Sequence, residues 1–251
     1  MSRRTVLLSG ILMAAAIYVT GLYIITTLPP VRTLIRTTVV GSSDVTQAFF
    51  LIVSLLLMLW LGRGRFAEFG FKLCPIKPII WAIIISVGVE VVMFAIMIAS
   101  VIITGPPPGM GPHAGSLMPS SLMPIVGQMS ESFPRTVVSV WLIASTCEEV
   151  FYRGLILGYL QPLKETGFKV FGLHISLPVT VCALMFGLGH LCLLGIMPTV
   201  VVANIVVACM ITGFITGYLR ESTGSLIPAI VSHMTFNIVG FTIPTLLNGP
   251  K

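Results

Sequence analysis

Apolar runs near or beyond 18 residues recur along this chain of 251 residues. Each is long enough to cross a bilayer as a helix. Seven can be drawn, at roughly 6–28, 45–61, 79–103, 136–160, 176–195, 198–219 and 225–247. In hydrocarbon the backbone must satisfy its own hydrogen bonds, so such runs become helices that pack on one another. The expected fold is all-α, a polytopic transmembrane helical bundle of about seven spans, with room for an eighth. No span is flanked by enough polar sequence to build a soluble domain, so 1–251 reads as a single integral membrane domain. Glycines four apart, Gly154 with Gly158 and Gly213 with Gly217, fit close helix packing.

The loops orient the bundle. Arg3, Arg4, Arg63, Arg65, Lys72, Lys77, Lys164, Lys169 and Arg220 fall on one side, against Arg32, Arg36, Arg135 and Lys251 on the other. An excess of basic residues marks the cytoplasmic face. The expectation is therefore an integral protein of the cell membrane with a cytoplasmic N-terminus and lipid as its first partner. No run of basic residues with interleaved aromatics exists, so nucleic acid is not an expected partner. The five cysteines are odd in number and form no CxxC, and read as small apolar residues. The one long loop, 104–135, is dominated by Pro, Gly, Ser and Met. It reads as an irregular outer connection or as a lid that touches substrate.

Only 9% of the residues are charged, yet CEEVFYRG at 147–154 places three of them inside an apolar run. A charge at mid-bilayer costs roughly 2.5–3.5 kcal/mol on insertion scales. Such groups therefore pair or line a polar cavity. Glu149 and Arg153 are four apart with Glu first, the favourable order for a pair within one helix. Glu148 lies about 100° away around the axis. It is left over, and is the better candidate for chemistry. Phe186 and His190 in FGLGH are four apart, so the ring can pack on the imidazole and orient it. His233 and Asn237 in HMTFN share a face and can present polar groups to a single point. At about 1.5 Å per residue, Glu148, His190 and His233 lie about 18, 21 and 12 Å from the cytoplasmic ends of their runs. All three agree with one layer near mid-membrane. Glu90 lies at a related depth and reads as a packing or hydration site.

A carboxylate and an imidazole converging on a water can deprotonate it for attack on a carbonyl. A second histidine and an asparagine can stabilise the oxyanion. These are the parts of a hydrolase acting on an amide. Glu148, His190 and His233 also make a three-ligand zinc set, but no HExxH is present, and the metal-free version is the expectation. No cofactor is expected otherwise.

EEVFYR, FGLGH and HMTFN, in that order on successive runs, resemble the EExxxR, FxxxH and HxxxN motifs of the CAAX protease and bacteriocin-processing family. That family includes the type II CAAX prenyl endopeptidases. The resemblance covers about 136–247 and departs at no motif position. It implies an intramembrane protease in which Glu148 and His190 activate water. It further implies that His233 and Asn237 form an oxyanion hole, with Glu149, Arg153 and Phe186 in support. The implied substrate is a membrane-anchored protein or peptide, prenylated CAAX proteins among the candidates. Two other classes use the same residues: a non-catalytic membrane scaffold or bacteriocin-immunity partner, and an ion or proton transporter. The transporter class often shows internal repeats, and none is evident here.

Overall fold

The computed structural model describes residues 2–37, 42–104, 137–195 and 199–248. Helix α1 runs Arg3–Thr27, capped by Ser2, whose hydroxyl accepts from the Thr5 N–H. Helices α2 (Pro29–Thr37), α3 (Ser42–Leu61) and α4 (Ile76–Thr104) follow. A helical rod, α5, then spans 137–160. A two-stranded hairpin comes next, with β1 at Gly167–Val170 and β2 at Leu173–Ser176. Helices α6 (Leu177–Gly189), α7 (Thr199–Thr223) and α8 (Ile227–Asn248) complete the bundle.

The centre of the molecule is α5. Its residues 150–157 are all buried, and Phe151 stacks on Phe50 of α3 with ring centroids 4.8 Å apart. Tyr18 of α1 stacks in turn on Phe50. The Ser9 and Tyr159 hydroxyls join α1 to the far end of α5 at 2.8 Å. On the other side, α4 meets α8 through the hydroxyls of Ser86 and Ser232, 2.7 Å apart.

Helices α6 and α7 approach closely at their glycines. A Cβ built on Gly187 would lie 2.3 Å from Met210 Cγ and 2.7 Å from the Val206 carbonyl oxygen. One built on Gly213 would lie 2.8 Å from Ala183 Cα, and one on Gly217 would lie 3.1 Å from Val179 Cγ1. The contacts step by about four residues in opposite directions, which is an antiparallel seam of small residues. Overpacking such a seam costs roughly 1–3 kcal/mol. Gly187→Leu should therefore lower the thermal unfolding midpoint in detergent, whereas Leu188→Ala, at a half-exposed neighbour, should not. Equal midpoints for the two variants would contradict the seam.

Four helices among the described residues are long and apolar enough to cross a membrane: Arg3–Thr27, Ser43–Leu61, Ile76–Ile96 and Val202–Thr223. Leu177–Leu193 and Ile227–Gly240 are apolar but shorter. The rod at 137–160 carries Glu148, Glu149 and Arg153, which interrupt its apolar run. The chain is thus a helical, membrane-type protein, and a count of seven spans goes beyond these helices. Two elements depart from the sequence reading. The 161–175 segment, read as a plain loop in an all-α chain, folds as the β1–β2 hairpin. Its turn residues Phe171 and Gly172 both have positive φ, which suits a two-residue hairpin turn. The stretch after α1 makes the short helix α2, which begins on two prolines whose fixed φ suits a first helical turn.

Arg220 also differs from a simple loop charge. It is 4% exposed and donates from Nη2 to the Glu68 carbonyl at 3.1 Å. Gly70 makes room for it with φ +96°, since a Cβ there would fall 2.3 Å from Arg220 Nε. Arg220 therefore ties the 62–75 loop to the end of α7. The segment read as a lid or outer connection, 104–135, lies outside the described residues except for Thr104 at the end of α4.

Candidate active site

The rod α5 changes pitch along its length. Wide π-type turns occupy Val137–Ala144 and Val150–Ile156, and an ordinary α turn, Ser145–Glu149, lies between them. Such widened turns recur at functional sites. That middle turn carries the polar residues, and α8 runs antiparallel beside it. The two helices are joined by two rungs. Asn237 Nδ2 donates to Ser145 Oγ at 2.9 Å and to the Val140 carbonyl at 3.4 Å. One turn away, His233 Nδ1 donates to Glu149 Oε1 at 2.9 Å.

Glu149 is the hub of the second rung. The same Oε1 accepts from Arg153 Nη1 at 2.9 Å, and both side chains are fully buried. The Arg153 guanidinium carbon lies 4.7 Å from the Phe186 ring centroid and 5.7 Å from that of Tyr152. The guanidinium thus lies against Tyr152 of the rod itself and Phe186 of α6.

Glu148 points elsewhere, as its offset around the rod dictates. Its side chain is 18% exposed. Gln47 Nε2 of α3 donates to Glu148 Oε1 at 2.6 Å. Glu148 Oε2 faces His233 Nε2 at 3.8 Å. That gap is too long for a hydrogen bond. It is a separation that a single water can bridge.

His190 closes α6, at the start of a 3₁₀ turn. Its Nδ1 lies 2.9 Å from the Phe186 carbonyl oxygen. A carbonyl only accepts, so Nδ1 carries the hydrogen and Nε2 presents a lone pair. Nε2 is 3.5 Å from Cys209 Sγ of α7. Phe186 stands edge-on to both histidines, with centroids 5.3 Å from His190 and 5.3 Å from His233. It spaces the two imidazoles. The Tyr18 hydroxyl donates to the Gly189 carbonyl, which fixes the backbone just before His190.

The structure therefore brings Glu148, Glu149, Arg153, Phe186 and His233 together. His190 joins them through Phe186, and among the described residues no hydrogen bond links it to Glu148. His233 and Asn237 do not present their polar groups to a single point. They occupy successive rungs, because Ser145 and Glu149 on the rod are themselves one turn apart. No group of three or more His, Cys, Asp or Glu side chains among the described residues could hold a metal ion. The cysteines are all free. Glu90, on α4, sits beside α8, where a Cβ on Gly240 would lie 3.5 Å from its Oε1.

Gln47 and Ser145 escape a reading that counts only charges, histidines and asparagines. Gln47 is nonetheless a polar side chain near the start of an apolar run, a signal that intramembrane polarity alone can flag.

Fold and site together define a helical membrane protein with a carboxylate–imidazole centre enclosed by its bundle. Residues 130–239 match the family model described as type II CAAX prenyl endopeptidase Rce1-like. Over that segment, which is less than half of the chain, it is similar to the CAAX protease and bacteriocin-processing family. No curated protein and no solved structure matches the chain significantly.

Proposed function

We propose that the protein is a glutamate-type intramembrane endopeptidase that cleaves a peptide bond of a membrane-anchored substrate. Prenylated CAAX proteins are the substrate class that the similarity over 130–239 suggests. The observation that carries the reading is the pair of acceptors on Glu148. Oε1 is held by Gln47, which leaves Oε2 free to act opposite an imidazole nitrogen at 3.8 Å.

In this reading Glu148 Oε2 takes a proton from water, and the water oxygen bonds to the scissile carbonyl carbon. The carbonyl π pair moves to oxygen. When the intermediate collapses, the C–N bond breaks and the proton on Glu148 passes to the leaving nitrogen. The lone pair on His190 Nε2 exchanges its weak contact with the Cys209 thiol for the second water hydrogen and orients the attack. His233 already donates Nδ1–H to Glu149, so donation from Nε2 to the oxyanion requires its imidazolium form, whose charge Glu149 offsets. Asn237 holds its amide hydrogens on Ser145 and Val140. It reaches an oxyanion only if that rung opens when substrate binds.

The test is cleavage by the purified full chain in detergent, read by mass spectrometry. A farnesylated CAAX peptide is offered beside a pool of unprenylated membrane peptides, with and without a strong chelator. Cleavage that survives the chelator and falls by about 10²–10⁴ in Glu148→Gln is the expected result. Activity removed by chelator and restored by zinc would replace the metal-free mechanism. A folded protein that cleaves no peptide would favour the scaffold or immunity-partner class.

A further inference from the structure

Gln47 is 6% exposed, and its amide reaches from α3 to the polar layer of α5. We infer that Gln47 is a positioning residue that aims the Glu148 carboxylate, an inference that rests on the hydrolase reading above. A carboxylate has two chemically equivalent oxygens. A charge-assisted donor at 2.6 Å on one of them fixes the rotation of the group and leaves the other to accept a proton. Gln47 thereby turns Oε2 toward His233 Nε2, 3.8 Å away. It also holds the carboxylate from a different helix, so the base is braced between α3 and α5. The brace is itself rigid. Phe50, one turn along α3, stacks on Phe151 of the rod at 4.8 Å, which locks the register of the two helices.

The groups facing Glu148 come from several elements. His233 faces it from α8 at 3.8 Å, and Tyr18 on α1, Cys147 and Tyr152 on α5 and Cys209 on α7 lie close enough to feel its charge. Glu149 and Arg153 follow it along the rod, and Asp44 lies one turn before Gln47 on α3. The hydrogen bond on the Glu148 carboxylate comes from Gln47. A neutral amide donor suits the task, because it orients the base without adding a cation that would make it less basic.

The experiment compares wild type, Glu148→Gln, Gln47→Met and Gln47→Glu in the same cleavage assay. Methionine keeps the volume and removes the donor. Gln47→Met should lower kcat about ten- to a hundredfold, the range of a hydrogen bond to a charged group, with KM within about twofold. In Gln47→Glu the introduced carboxyl donates only while protonated. Its rate, taken as a ratio to wild type at each pH, should rise as the medium becomes more acidic. A merely structural side chain gives a ratio that is flat with pH. That flat ratio, an unchanged kcat in Gln47→Met, or an effect confined to KM would overturn the inference. An infrared measurement separates this from failure of the hydrolase reading. The Glu148 carboxylate band, assigned by its loss in Glu148→Gln, should shift in Gln47→Met. No cleavage by the wild type removes the hydrolase reading and the kinetic role of Gln47 with it, while the band still reports the hydrogen bond. A band that does not move overturns the inference whatever the assay shows.

Discussion

Glu149→Leu should cost the protein most of its folded yield. Breaking a buried ion pair by removing one partner destabilises by about 3–5 kcal/mol, and this pair is fully buried on both sides. Arg153 Nε and Nη2 already lack hydrogen-bond partners among the described residues. Without Glu149 the guanidinium would keep only the faces of Phe186 and Tyr152. A desolvated cation–π contact contributes about 2 kcal/mol, too little to hold an unpaired cation there. His233 would lose the acceptor on Nδ1 at the same time. The companion variant Glu149→Leu/Arg153→Met removes both charges and should recover much of the stability, because apolar replacement of a whole buried pair is close to neutral. Thermal unfolding midpoints in detergent, followed by size-exclusion chromatography, decide the matter. If the single variant melts with the wild type, the buried Glu149–Arg153 pair does not hold the fold.

The helices are legible in the sequence because hydropathy is additive and bilayers are thick. The run at 6–28 overlaps α1, Arg3–Thr27, and the run at 198–219 overlaps α7, Thr199–Thr223. The pairing of Glu149 with Arg153 is legible too, since it is local and follows from residues four apart. What lies beyond reach depends on register between helices. Spacing alone places His233 and Asn237 on one face of α8. It cannot say that antiparallel packing sets them against two different residues of α5, Glu149 and Ser145. Gln47 is uncharged and barely lowers the hydropathy of its run, so its partner on another helix leaves no local trace. The hairpin is hidden for another reason. Its strands are four residues each, too short for alternation to stand out, and its turn places a phenylalanine at positive φ, where glycine or asparagine is the usual signal.

In a double-variant cycle, Glu148→Gln and His190→Ala should each lower kcat by about 10²–10⁴, the range assigned to general-base catalysis. The double variant should be no more than about threefold slower than the worse single. Groups that act as a unit on one reacting atom show this non-additivity. The structure supplies the reason to expect it. No hydrogen bond joins Glu148 and His190, yet both present an acceptor: Oε2 on the carboxylate and the Nε2 lone pair on an imidazole whose Nδ1–H is held by Phe186. A water has two hydrogens, and two acceptors can share it. Once either acceptor is gone the water is misplaced, and losing the second changes little. Cys209→Ala serves as the control, because it removes only a weak thiol contact with His190 Nε2 at 3.5 Å and leaves the lone pair to the water, and its effect should stay within about threefold. Effects that multiply in the double variant would mean that His190 acts at a separate step, and the shared-water mechanism would then fall.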